Sequence, residues 1–351
     1  MKILFFLVHP AKFHLFKHPI NRLRSKGVDV DIAIVTKDIL EELIKQEGWD
    51  YVNIFPEGRR IQGLPIIVGT LINFVKTLWR LFTLTGKKKY DLFVTDDSLP
   101  IIGKLRGIPT IFFIDNELTT VPEYEILLKT ATNVLAPESV NLGKYESKKI
   151  SFKGYKELAY LHPDYFKPDH SVVEKINPTG EKYFLLRVVS MTASHDRGIK
   201  GLTDERVRQI IAVLQPHGKV FISGERDLPA DLEQHRLKIN PRDILHVIYY
   251  AQLFVSDSGT MSSEAALLGT PAFMFHDFIG RLGVMVEKEK KYGLMFGYNN
   301  QQFDLMLAKI QDLVVLPSLK EEWKKKVEVM LSEQQDVTAF MIDLFENYKA
   351  R

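Results

Sequence analysis

Apolar positions come along this chain in two forms, short continuous runs and longer stretches at helical spacing, and the two forms alternate. The run "ILFFLV" (3–8) predicts a buried strand, and residues 13–26 predict a helix ended by Gly27. A second strand is predicted at "DVDIAIV" (29–35). The helix after it takes Thr36 or Asp38 as N-cap, with Glu41 three residues past Asp38 as in a capping box. "YDLFVTD" (90–96), "PTIFFID" (109–115) and "NVLAPE" (133–138) predict three further strands. Continuous apolar strands separated by helices predict a parallel sheet covered on both faces.

The alternation lapses over residues 154–182, where prolines stand among aromatic and mixed-charge residues. It resumes with "YFLLRVV" (183–189), "KVFIS" (219–223), "LFVSD" (253–257) and "AFMF" (272–275), and a patterned helix (337–350) closes the chain. The predicted fold class is therefore α/β, with two Rossmann-like domains facing across a cleft. Residues 1–160 form the first, 161–182 a connector and 183–335 the second. Residues 336–351 form a last helix placed to pack back on the first domain. In such sheets ligands bind beyond the carboxyl ends of the strands.

One strand end carries specific chemistry. In "SDSGTMSSEAALLGTP" (256–271), Ser258, Gly259 and Thr260 open a helix whose first N–H groups lack intrahelical acceptors. The helix dipole adds partial positive charge there, and glycine lets a phosphate approach the backbone closely. Glu264 stands less than two turns further on, where a carboxylate can accept the hydroxyls of a ribose. Together they suit a nucleoside diphosphate. The alternative is that Asp257 and Ser258 only cap the helix and Glu264 faces solvent.

Composition narrows the remaining classes. With no cysteine the chain has no disulfide, no thiolate zinc site and no cysteine nucleophile, which suits a reducing cytoplasm. The opening "MKILFFLVHP" lacks a cleavage site, and Asn73, Lys76 and Arg80 interrupt the apolar stretch 64–85, so neither reads as a membrane span. Net charge is +3, unevenly placed: residues 1–155 hold 22 Lys and Arg against 17 Asp and Glu. That mild surplus favours an anionic membrane surface or substrate and falls short of a nucleic-acid-binding stripe. "DVD" (29–31) begins a strand and carries no metal. No P-loop, nucleophile-elbow or zincin motif occurs.

"DILHVIYYAQLFVSDSGTMSSEAALLGTPAFMF" (243–275) resembles the nucleotide-binding segment of the UDP-N-acetylglucosamine 2-epimerases and, more broadly, the C-terminal domain of GT-B glycosyltransferases. "HPAKFHLFKHPINRLRSKGVDVDI" (9–32), "GYKELAYL" (154–161) and "LLRVVSMTASHD" (185–196) resemble a further family of that superfamily. The resemblance implies diphosphate binding by Ser258, Gly259 and Thr260, and ribose binding by Glu264. Arg187 would add a cation near the phosphates, and the loop holding Ser223, Gly224 and Glu225 would read the nucleobase. Ser194 and His195 would contact substrate. UDP-sugar is then a substrate, with no separate cofactor and no metal.

For the chemistry, "KFHLFKHPI" resembles the His-bearing first helix of the lipid-linked peptidoglycan N-acetylglucosaminyltransferase, which makes His14 the candidate base. Asp97 and Asp115 stand where the epimerases place acid and base carboxylates. The chain departs from the epimerases at Thr260, which replaces a glycine, and lacks their histidine loop in 225–242. The leading expectation is a metal-independent GT-B transferase moving an N-acetylhexosamine from a UDP-sugar to a cell-surface glycan or lipid-linked acceptor. A 2-epimerase and a non-catalytic sugar-nucleotide binder are the alternatives. Ile67, Leu71, Phe74, Leu78 and Phe82 predict a core-facing stripe. Val75, Trp79 and Phe82, with Lys76 and Arg80, offer the contrary reading of peripheral contact with the inner face of a membrane. The sequence selects no oligomeric state.

Overall fold

The structure, a computed structural model, describes residues 1–59, 66–119, 121–189, 201–224, 226–277, 279–280 and 283–349, with the side chains of residues 66 and 67 left aside. Ser194, His195 and Glu225 lie outside the described residues. Two compact units divide the chain: Met1–Tyr165 with Gln335–Arg351, and Phe166–Gln334.

Among the described residues, the first unit holds a seven-stranded parallel sheet. Its strands are β1 (Lys2–Leu7), β2 (Asp29–Ile34), β3 (Val52–Asn53), β4 (Leu92–Thr95), β5 (Thr110–Phe113), β6 (Asn133–Pro137) and β7 (Lys149–Phe152), in the order β3-β2-β1-β4-β5-β6-β7. The second unit holds a five-stranded parallel sheet of β8 (Tyr183–Val188), β9 (Lys219–Gly224), β10 (Phe254–Ser256), β11 (Ala272–Phe275) and β12 (Met295–Tyr298), in the order β12-β11-β10-β8-β9. The strand order reverses between β1 and β4 in one sheet and between β8 and β10 in the other. At such switch points the loops diverge to opposite faces and leave a crevice.

Helix α1 (Pro10–Ser25) follows β1, with Pro10 in its first turn and the His9 ring accepting the Ala11 N–H at 3.1 Å. Its buried face includes Phe13, Phe16, Ile20 and Leu23. The last helix, Val337–Glu346, packs in the first unit, where Phe345 meets Phe5 and Phe16 with ring centroids 5.6 and 6.3 Å apart. The Asp336 carboxylate caps that helix by accepting the Ala339 N–H, and Thr338 Oγ1 donates to the Ala159 carbonyl at 2.8 Å. The last helix is thus held by apolar burial and by a buried hydroxyl that has found its acceptor 179 positions earlier.

Two sequence expectations are corrected. Asp38 adopts φ 48° and does not cap α2 (Leu40–Gln46); Ile39 occupies the N-cap position without a side-chain bond. Glu41 serves tertiary contacts instead, accepting from the Tyr51 hydroxyl at 2.8 Å and Asn53 Nδ2 at 3.0 Å. The second correction concerns α3 (Ile66–Thr85), in which Leu71 and Phe82 were expected to face the core. Both are exposed, and the buried line runs through Thr77, Leu81 and Thr85. Each threonine hydroxyl bonds back to the carbonyl four residues earlier, Thr77 to Asn73 and Thr85 to Leu81, both at 2.7 Å. With its hydroxyl satisfied a threonine buries as readily as a small apolar residue, so the inner face is rotated from the most hydrophobic one.

Candidate nucleotide-sugar site

In the second unit the site is built where β8 and β10 end. Asp257 follows β10, and its carboxylate accepts the Val189 N–H at 2.9 Å and the Leu202 N–H at 3.0 Å. It therefore staples neighbouring strand exits together and does not cap the helix. Burial pushes this carboxyl up to about 6, while the two N–H donors pull against the shift.

Ser258 is the cap of the helix Gly259–Leu267, its extended backbone turning into the first turn and its hydroxyl accepting the Met261 N–H at 3.4 Å. Ser256 Oγ accepts the Ser258 N–H at 2.8 Å and fixes the approach. A methyl group on Gly259 would stand 3.3 Å from Met274 Cε, so glycine keeps the helix tip open against a close neighbour. Glu264 is only 8% exposed and points inward, which excludes its being a solvent-facing carboxylate. Beside it, buried Ser263 accepts from the buried Lys288 ammonium at 2.6 Å. Arg187, near the end of β8, donates to Ser223 Oγ at 2.8 Å across to β9, and Gly224 ends that strand.

In the first unit the strand exits carry the opposite kind of chemistry. Lys12, on the first turn of α1, places its ammonium 3.8 Å from an oxygen of Asp96 and 3.7 Å from one of Asp115. The Lys156 ammonium also pairs with Asp115. Asp96 follows β4 and is buried, and its Oδ1 accepts no hydrogen bond among the described residues. Burial raises its carboxyl to about 6 against the pull of Lys12, and the Asp97 and Asp115 charges add to the rise.

Asp97, one residue on, has a different environment. Its oxygens accept Ser98 N–H at 2.6 Å, Ser98 Oγ at 2.7 Å and Arg59 Nη1 at 3.0 Å. Burial alone would raise its carboxyl, but Arg59 and the Ser98 donors outweigh it and hold the group below the ordinary range. His14 sits half-buried between the rings of Phe13 and Tyr160, at centroid distances of 5.3 and 5.2 Å. Burial, then Lys17 and His18, lower its imidazole to about 4, so it is neutral at pH 7. Among the described residues no three His, Asp or Glu side chains are arranged to hold a metal ion.

A family profile described as "Protein of unknown function (DUF354)" matches residues 1–348. The chain belongs to the DUF354 family. No curated protein matches its sequence. Among solved structures, this DUF354 chain is similar to S. aureus MnaA in complex with UDP, with a TM-score of 0.70 at 12% identity over 99% of this chain and 96% of that one. It is similar to the UDP-GlcNAc 2-epimerase of Neisseria meningitidis bound to UDP-GlcNAc, with a TM-score of 0.67 at 11% identity over 99% and 100%. It is also similar to MurG of Acinetobacter baumannii, with a TM-score of 0.57 at 14% identity over 99% of each chain. At such identities the likeness establishes the fold, two Rossmann-like units of GT-B type.

In this DUF354 chain, Ser258, Gly259, Thr260 and Glu264 share one helix, and Arg187 is joined to Ser223 by a hydrogen bond. Asp97 and Asp115 follow β4 and β5 and His14 lies on the second turn of α1, but of the three only Asp115 belongs to the lysine-linked cluster. Sequence reasoning gave no role to Lys12, Lys156 or Arg59. Lys12 stands three residues past the capping His9, which places it on the helix tip at the same strand end. Lys156 lies in "GYKELAYL", and nothing local marks it as a partner of Asp115.

Proposed function

We propose that this protein is a GT-B glycosyltransferase that takes an N-acetylhexosamine from a UDP-sugar and passes it to a cell-surface glycan or lipid-linked acceptor. The observation that carries the donor assignment is Glu264, a carboxylate buried on a helix whose tip presents glycine and open N–H groups. In this reading the Gly259 and Thr260 amides and Arg187 take up the charge that develops on the departing diphosphate, a task that needs no metal. Glu264 holds the ribose hydroxyls, and Ser223 and Gly224 border the base.

Asp96 is the group suited to accept the acceptor's proton, because a carboxyl held near 6 exchanges protons at the working pH. Lys12 steadies its ionised form, and Asp97 stays charged beside Arg59 as a fixed element of the loop. His14, with an imidazole near 4, is a weak base and positions the first turns of α1. The Asp96–Lys12–Asp115 arrangement also favours a second reading, 2-epimerisation, since two carboxylates can serve as acid and base on one sugar.

UDP titrated into the protein by calorimetry, with EDTA present and ADP and GDP as controls, tests the donor site. Selective UDP binding that falls at least about tenfold in Glu264→Gln, with thermal stability retained, is expected, since a buried charged acceptor is lost. Equal binding of all three nucleotides, or none, overturns the assignment. Release or interconversion of sugar from UDP-GlcNAc without acceptor selects the epimerase instead.

A further inference from the structure

Large apolar side chains left in water concentrate on one helix of this molecule. Along α3, Val68, Leu71, Val75, Trp79 and Phe82 are all exposed, Leu71 at 63%, Val75 at 58% and Trp79 at 67%. At about 100° per residue these five positions fall within one sector of the helix, about 80° wide, adjoining the buried line of Thr77, Leu81 and Thr85. The Arg106 guanidinium of α4 (Leu99–Arg106) stacks 4.1 Å from the Phe82 ring, and Leu105 beside it is also exposed. A contiguous apolar face of this kind marks an interaction surface.

Charge decides what it fits. Helix α3 contains Lys76 and Arg80 and no Asp or Glu, and three lysines follow at 87–89. Arg80 is committed to Glu57 and Lys88 to Asp31, while Lys76, Lys87 and Lys89 are exposed and enter no ion pair among the described residues. A second copy docking through the same patch would set these lysines against each other across a two-fold axis. An anionic bilayer meets both properties, with lipid chains for the apolar sector and phosphate headgroups for the lysines. No described helix is long and apolar enough to cross a membrane, so α3 would lie on the surface.

We infer that the outer face of α3 docks the protein on an anionic lipid bilayer, with Trp79 inserted at the headgroup level. The inference does not depend on the assignment of the sugar-nucleotide site. The protein carries its own probe, because Trp49 and Trp323 are buried and Trp79 is the exposed one of its three tryptophans.

Adding phosphatidylglycerol-containing vesicles to the full chain should shift tryptophan emission to the blue and carry the protein upward in flotation. Vesicles of phosphatidylcholine alone should do so far less. Leu71→Ser and Trp79→Ser, both at exposed positions, should each weaken partitioning about tenfold or more without moving the melting temperature. Lys76→Glu combined with Lys89→Glu should weaken it further and remove its salt dependence. Absence of an emission shift with anionic vesicles overturns the inference. So does undiminished binding in both apolar variants, or a dimer in sedimentation that Trp79→Ser converts to monomer.

Discussion

Replacing Asp96 by Asn should make the protein more stable at pH 8 and leave it unchanged at pH 4. The ordinary carboxyl value is 3.8 and burial raises Asp96 to about 6 in the folded state, with Lys12 already pulling the other way. Between about pH 4 and pH 6 the folded protein therefore holds more protons than the unfolded chain, and this group's contribution falls as pH rises through that window. Above pH 6 the cost of keeping the charge buried is fully present, about 3 kcal/mol for a shift of about two units. Asparagine keeps the shape without the charge, and Lys12 retains Asp115 at 3.7 Å. Urea unfolding of both proteins at intervals from pH 4 to pH 8 gives the difference directly. Asp257, also raised to about 6, is common to both and cancels. The expected difference grows from near zero at pH 4 to about 2–3 kcal/mol in favour of the variant at pH 8. A difference independent of pH, or a variant less stable at pH 8, would refute the reasoning. Activity in the same variant should be lost, since stability and function pull this carboxylate in opposite directions.

Other outcomes follow from the geometry. Gly259→Ala meets two flexible methionine ends, Met274 Cε at 3.3 Å and Met285 Cε at 3.8 Å, so folding should change by less than about 1 kcal/mol while UDP affinity falls about tenfold or more, read by urea unfolding and calorimetry. Phe345→Ala removes a fully buried ring between Phe5 and Phe16 and should cost about 3–5 kcal/mol in urea unfolding; a cost below about 1 kcal/mol would mean the last helix is not anchored there. Gly103→Ala puts a methyl 2.0 Å from Thr110 Oγ1 and 2.8 Å from the Ile108 carbonyl, and should destabilise by about 1–3 kcal/mol, with partial recovery in the double variant with Thr110→Ala.

The sequence by itself determined the elements and their kind. Runs such as "ILFFLV" and "LFVSD" become β1 and β10 because a strand buried on both faces needs no alternation, and that requirement is local. The helix opening at Gly259 was legible for the same reason, since cap, glycine and strand end are consecutive residues. Tertiary structure decided everything that depends on a distant neighbour. Asp96 and Asp97 are adjacent in sequence, yet Arg59 from 38 positions away holds one below the ordinary carboxyl range while burial raises the other to about 6. Lys12 and Lys156 reach Asp115 from distant points of the sequence on either side of it. The inner face of α3 was set by two threonines whose hydroxyls return to their own helix, which turned the apolar stripe outward to water. Periodicity reports which side chains share a face, but burial and charge are fixed by what the folded chain brings against that face.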